Sequence, residues 1–89
     1  MSGQWTRFRP CTSSECSKLQ QVLGIGIQYQ PLSVATQKEN GTTYCFYCNG
    51  TVTAPESPAK PYKIYAHQPE GSQKFDPKQI QIEELPLQP

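Results

Sequence analysis

The segment 36–52, TQKENGTTYCFYCNGTV, constrains this chain more than any other. Tyr44, Phe46, Cys48 and Val52 fall on one face of a period-two run, and Thr43, Cys45, Tyr47, Asn49, Thr51 and Thr53 on the other. Such alternation marks a strand with one buried face. The run leaves Asn40-Gly41, a pair that accepts positive φ in the tight turn of a hairpin. Residues 32–36, LSVAT, supply the second arm. The segment predicts a β-hairpin whose tip, residues 37–41, projects from the body.

The flanks extend this into a sheet with one helix. Thr12-Ser13-Ser14-Glu15 matches a capping box, in which the hydroxyl accepts from the third helical amide and the carboxylate reaches back. It predicts a helix over 13–23 with Cys16, Leu19, Val22 and Leu23 as its apolar stripe, stopped by Gly24 in the left-handed cap position. At ~1.5 Å per residue that helix is about 16 Å long. Residues 1–10 read as an extended arm, with Trp5 and Phe8 docking on the body. Ile25, Ile27 and Tyr29 alternate with polar residues, and beyond Pro31 the apolar parity shifts to Leu32 and Val34. Proline cannot donate to a ladder, so a bulge or bend at Gln30-Pro31 accounts for both facts.

Residues 54–61 hold three prolines and read as a loop. Tyr62, Ile64 and Ala66 alternate with Lys63, Tyr65 and His67 as a further strand, and residues 68–72, QPEGS, form a turn. Ile80 and Ile82 mark a last, edge strand, and residues 85–89 a loose tail. The prediction is an α+β fold over residues 1–89 as a single domain: one α-helix packed across a four-stranded antiparallel β-sheet.

Several function classes are excluded or weakened. Net charge is +1 without a basic block, which argues against nucleic acid as a partner. No apolar run approaches the ~20 residues that span a bilayer, so no membrane partner is expected. The start, MSGQWTRFRP, lacks the apolar core of a secretory leader, which places the chain in the cytoplasm unless a leader has been removed. Asn40-Gly41-Thr42 and Asn49-Gly50-Thr51 match a glycosylation triplet that arises often by chance.

The four cysteines are Cys11, Cys16, Cys45 and Cys48. Cys45 and Cys48 lie three apart on a strand, on opposite faces, and so do not bridge each other. Residues 45–50 have the C-x-x-C-x-G outline of a zinc knuckle, and Cys11 and Cys16 would complete a four-thiolate site. Against that, the spacing of Cys11 and Cys16 is no knuckle, and the strand alternation runs straight through 45–48. No metal and no cofactor are expected. His67 is the sole histidine. Cys16 and Cys48 read as core positions, and nothing marks an activated thiol, so no enzyme is expected.

Gln37-Lys38-Glu39-Asn40-Gly41, followed by Thr42-Thr43-Tyr44, resembles the first hairpin loop of the cystatins, which carry Q-x-V-x-G and then typically T-N-Y. Residues 29–34, YQPLSV, look like the strand entering that loop, and residues 62–69, YKIYAHQP, resemble the strand and second loop of the intracellular cystatins, the stefins. The resemblance covers roughly residues 25–72. It implies a reversible inhibitor that fills the cleft of a papain-like cysteine protease with two hairpin loops and an N-terminal segment. The residues it points to are Gly3; Gln37, Lys38, Glu39, Asn40 and Gly41; and Gln68 and Pro69. It also implies a monomer with a minor arm-exchanged dimer. Glu39 departs from the pattern, standing where the family has Val, and the helix is shorter than the family's. The alternative is a cystatin-like binding or structural module that does not inhibit.

Overall fold

The computed structural model describes residues 3–24, 26–52 and 58–86. The chain order is β1 (Arg9–Pro10), α1 (Ser13–Val22), β2 (Ile27–Lys38), β3 (Gly41–Val52), β4 (Lys60–Pro69), a 3-10 turn (Pro77–Gln79) and β5 (Ile80–Glu84). Among the described residues this is an α+β unit with one helix and a five-stranded antiparallel sheet, ordered β1-β2-β3-β4-β5. The expected four strands become five because the N-terminal arm pairs with β2, Arg9 opposite Val34 and Pro10 opposite Ser33. Pro10 hid that strand from a pattern reading, since proline is tolerated only where the ladder needs no amide. The arm stays along β2 beyond the two paired residues: the Thr6 amide donates to Thr36 O at 2.8 Å and the Gly3 amide to Lys38 O at 3.1 Å.

The helix begins as the sequence requires. Thr12 Oγ1 accepts from the Glu15 amide at 3.2 Å, and Glu15 Oε1 accepts from the Thr12 amide at 2.9 Å. Glu15 has a second task. Its carboxylate takes a two-pronged grip from Arg9, at 2.8 and 2.6 Å, which ties the arm to the first helical turn. The helix stops at Val22, not at residue 23: Leu23 is extended and Gly24 is not left-handed. The left-handed position is Gly26, φ 118°, two residues further on.

The core lies between α1 and one face of the sheet. Leu19 from the helix meets Val34, Phe46, Cys48, Ile64 and Ala66, with Val22, Leu23 and Cys11 packed around them. Phe75, from the segment before the 3-10 turn, closes the other side, its ring 5.1 Å from Tyr44 and 5.9 Å from Phe46. The parity shift in β2 is a bulge at Leu32: Pro31 pairs with Cys48 and Ser33 with Tyr47, leaving Leu32 as the extra residue. Leu32 is therefore 42% exposed and not part of the apolar face expected for it, whereas Val34 is fully buried. Val52 is likewise exposed, at the end of its strand.

β4 begins at Lys60 and takes in Pro61, which faces Asn49, so the expected loop is shorter than residues 54–61. Its first part, with Thr53, lies outside the described residues, as do Ile25 and the end of the tail, 87–89. The other sheet face carries Cys45, Tyr65 and Ala35, and there the arm docks as expected: the Trp5 ring meets Tyr65 edge-on at 6.2 Å.

Candidate functional site

One end of the sheet gathers the three segments picked out in the sequence. Lys38 pairs with Thr42 across the first turn, Thr42 with Gln68, and Gly41 with Pro69. Gly3 lies alongside Lys38 through its amide. Arm, first turn and second turn thus stand side by side, in that order. A shallow cleft between the two turns is lined by Lys38, Gly41, Thr42, Gln68, Pro69 and Ser72.

Local chemistry dictates the turn. Asn40 has φ 51° and Gly41 φ 110°, the two consecutive positive values that Asn-Gly accepts most readily. A Cβ at Gly41 would lie 2.3 Å from Gln68 O and 2.9 Å from the Glu70 amide. Glycine there lets two hairpin backbones touch. Gly3 answers a similar need, since a Cβ there would lie 2.7 Å from Lys38 O.

Side chains lock the three segments. Gln37 Nε2 donates to Gly3 O at 2.7 Å, so its amide holds the arm against the first turn. His67, on β4, lies 3.0 Å from Asn40 O through Nε2 and 2.9 Å from Thr43 Oγ1 through Nδ1. A carbonyl only accepts, so Nε2 carries the proton, and in the neutral ring Nδ1 accepts from the Thr43 hydroxyl. Gln68 turns toward the helix: Nε2 donates to Ser72 O at 2.8 Å, and Lys18 Nζ donates to Oε1 at 3.2 Å. Gln68 braces the second turn from beneath, leaving Pro69 and Gly71, φ 80°, to shape its outer surface.

Lys38, Glu39 and Asn40 are the exposed apex. Among the described residues the Glu39 carboxylate has no hydrogen-bond or ion-pair partner. The edge thus combines backbone and amide groups with two exposed charges of opposite sign, Lys38 and Glu39, and the ring of Pro69. Among the described residues, the hydrogen-bond partners of the His67 ring are Thr43 and Asn40.

The cysteines sit elsewhere. Cys48 is fully buried in the core and Cys45 is buried on the opposite face, as the strand register required. All four thiols are free. Burial pushes the Cys48 thiol up to about 12 and the Cys11 thiol up to about 11. The four do not converge, and among the described residues no group of three or more His, Cys, Asp or Glu is arranged to hold a metal. No described helix is long and apolar enough to cross a membrane.

Sequence reasoning missed the residues that brace this edge: Lys18, His67 and Ser72. Lys18 and His67 gave no signal because they act across a distance in sequence, on Gln68 and on Asn40, and Ser72 gave none because it acts through its backbone carbonyl, which any residue offers. Comparison with family models, with curated proteins and with solved structures gave no match to this chain.

Proposed function

We propose that this chain has a cystatin-like fold and reversibly inhibits papain-like cysteine proteases, its sheet end acting as a wedge in the active-site cleft. The observation that carries the reading is the alignment of Gly3, residues 37–41 and Pro69 along one edge, each fixed to the next by hydrogen bonds or strand pairing. A cleft blocker works by backbone contact and shape and needs no catalytic group, which suits a polar, glycine-bearing edge. Pre-organisation favours tight binding, because little freedom remains to be lost on association. Titration of the purified chain against papain tests the proposal: stoichiometric, reversible loss of activity supports it, and full activity at micromolar chain defeats it.

A second reading, a binding module with the same fold and no inhibitory activity, is favoured by Glu39. An exposed, unpartnered carboxylate at the apex must lose water on entering a cleft. A buried group left poorly paired costs roughly 1–3 kcal/mol, or about five- to 150-fold in affinity. Glu39→Val tightens inhibition by that margin under the first reading and changes nothing under the second. Progress-curve assays on both proteins separate the two.

A further inference from the structure

We infer that Cys11 and Cys16 form a redox modification site, closing a reversible disulfide that clamps the N-terminal arm to the helix. With Thr12 as N-cap, Cys11 stands immediately before the cap and Cys16 is the fourth residue of the helix. Those are the two positions whose side chains meet as a staple across a helix start. Most proteins put hydrophobic residues there; this chain puts two thiols. Both thiols are half-buried at this helix start, and Cys11 packs against the core beneath it. The turn between them is held by the reciprocal Thr12–Glu15 bonds and by the Cys16 amide donating to Thr12 O at 3.0 Å.

Access separates this pair from the other two thiols. Cys11 and Cys16 are half-buried and within reach of a small reagent, whereas Cys45 and Cys48 are buried on opposite faces of β3. A bond at 11–16 joins the residue after β1 to the first turns of α1. It therefore covers in a covalent link the same junction that Arg9 and Glu15 hold by charge.

The oxidant is a small-molecule disulfide such as glutathione disulfide. One protein thiolate attacks it, forming a mixed disulfide and releasing one glutathione thiolate. The second protein thiolate then attacks the protein sulfur of that mixed disulfide and releases the other. The two protein thiols lose two protons and two electrons, and the reagent becomes two glutathione thiols. Reopening runs the same two exchanges backward; where the attack falls on the Cys16 sulfur, the raised Cys11 thiol is a poor leaving group.

The test uses the full chain in equimolar reduced and oxidised glutathione, followed by alkylation and peptide mass mapping. The expected product carries a Cys11–Cys16 bridge, with Cys45 and Cys48 alkylated only after unfolding. Amide exchange at Gly3 and Thr6, which report arm docking, slows by roughly tenfold on oxidation, the order set by closing a short loop. Cys11→Ser and Cys16→Ser each remove the slowing. Three results overturn the inference: glutathione retained on Cys11 or Cys16 without an internal bridge, a bridge that involves Cys48, or a correct bridge with Gly3 and Thr6 exchange unchanged. Should a serine variant fail to fold, the wild-type map and exchange rates decide alone. None of these readouts depends on protease inhibition.

Discussion

The dipeptide Asn-Gly occurs twice along β3, at 40–41, where Asn40 precedes the strand and Gly41 opens it, and at 49–50 near its end. At 40–41 both residues are left-handed and make the turn. At 49–50 neither is, and the pair lies in the ladder, Asn49 between Gln30 and Pro61, Gly50 between Tyr29 and Lys60. The glycines are needed for different reasons. Gly41 admits the backbone of the second turn. Gly50 lies beneath two aromatic rings, and a Cβ there would meet Tyr62 Cε1 at 2.5 Å and Tyr29 Cδ1 at 3.2 Å. Those rings pack edge to face at 5.2 Å over the gap. A turn signal is thus a permission that tertiary pairing accepts at one site and overrides at the other.

The sharpest test of this contrast is Gly41→Val. A β-branched side chain meets both the positive φ and the backbone at Gln68, costing about 2–5 kcal/mol. Denaturant melts measure the loss, and under the proposed function papain inhibition disappears with it. Gly50→Ala comes next. Overpacking against the Tyr62 ring costs about 1–3 kcal/mol, and each kilocalorie lowers Tm by about 4–8 °C in a domain of this size. The Gly3 and Thr6 amides should exchange as before, because the damage lies at the other end of the sheet. If Gly50→Ala loosens those amides, the two ends are not independent.

Acid distinguishes the ends further. Arg9, and then the Thr12 bonds, hold the Glu15 carboxyl down at about 2, below its ordinary 4.5. A lowered folded-state value means stabilisation that is complete above about 4.5 and lost as pH falls toward about 2. Arm docking should therefore loosen across that window while the Tyr29–Tyr62 end holds, as residue-resolved NMR would record. Arg9→Met should cost about 1–2 kcal/mol at neutral pH, less than a buried pair because the guanidinium is half exposed. It should also flatten the acid dependence. The smallest effects separate the asparagines: Asn40→Ala places alanine at positive φ and costs about 1 kcal/mol, whereas Asn49→Ala in the ladder stays within about 0.5 kcal/mol. Equal losses at both would erase the distinction.

Where chemistry was local the sequence was readable. The capping box at Thr12 and Glu15, the turn at Asn40-Gly41, the opposed faces of Cys45 and Cys48 and the edge position of the last strand all follow from neighbours in the chain. The bulge was located to within two residues because proline and a parity change coincide there. What stayed hidden depends on distant partners. Phe75 sits in a stretch without period, so nothing announced that it would seal the core beside Tyr44 and Phe46. Glu15 announced its cap and not its grip by Arg9. At the candidate edge, the glycines of the two turns, Gly41 and Gly71, were legible from turn chemistry, whereas Gly3 came only from the resemblance and Gln68 turning inward to Lys18 was not legible at all.

The order of the sheet bears on how it is made. Every strand pairs with its neighbour in sequence, from β1 through β5. Short closures cost the least entropy and come first, and among the described strands the β2–β3 turn is the shortest strand-to-strand connection. From that nucleus β4 and β5 add on one side by successive local steps. On the other side stands β1, separated from β2 by the whole helix and contributing only Arg9 and Pro10 to the ladder. Docking of the arm then falls after the rate-limiting barrier. Substitutions in residues 3–10 should raise the unfolding rate and leave the refolding rate where it was, so the arm sets how long the native state lasts and not how quickly it forms.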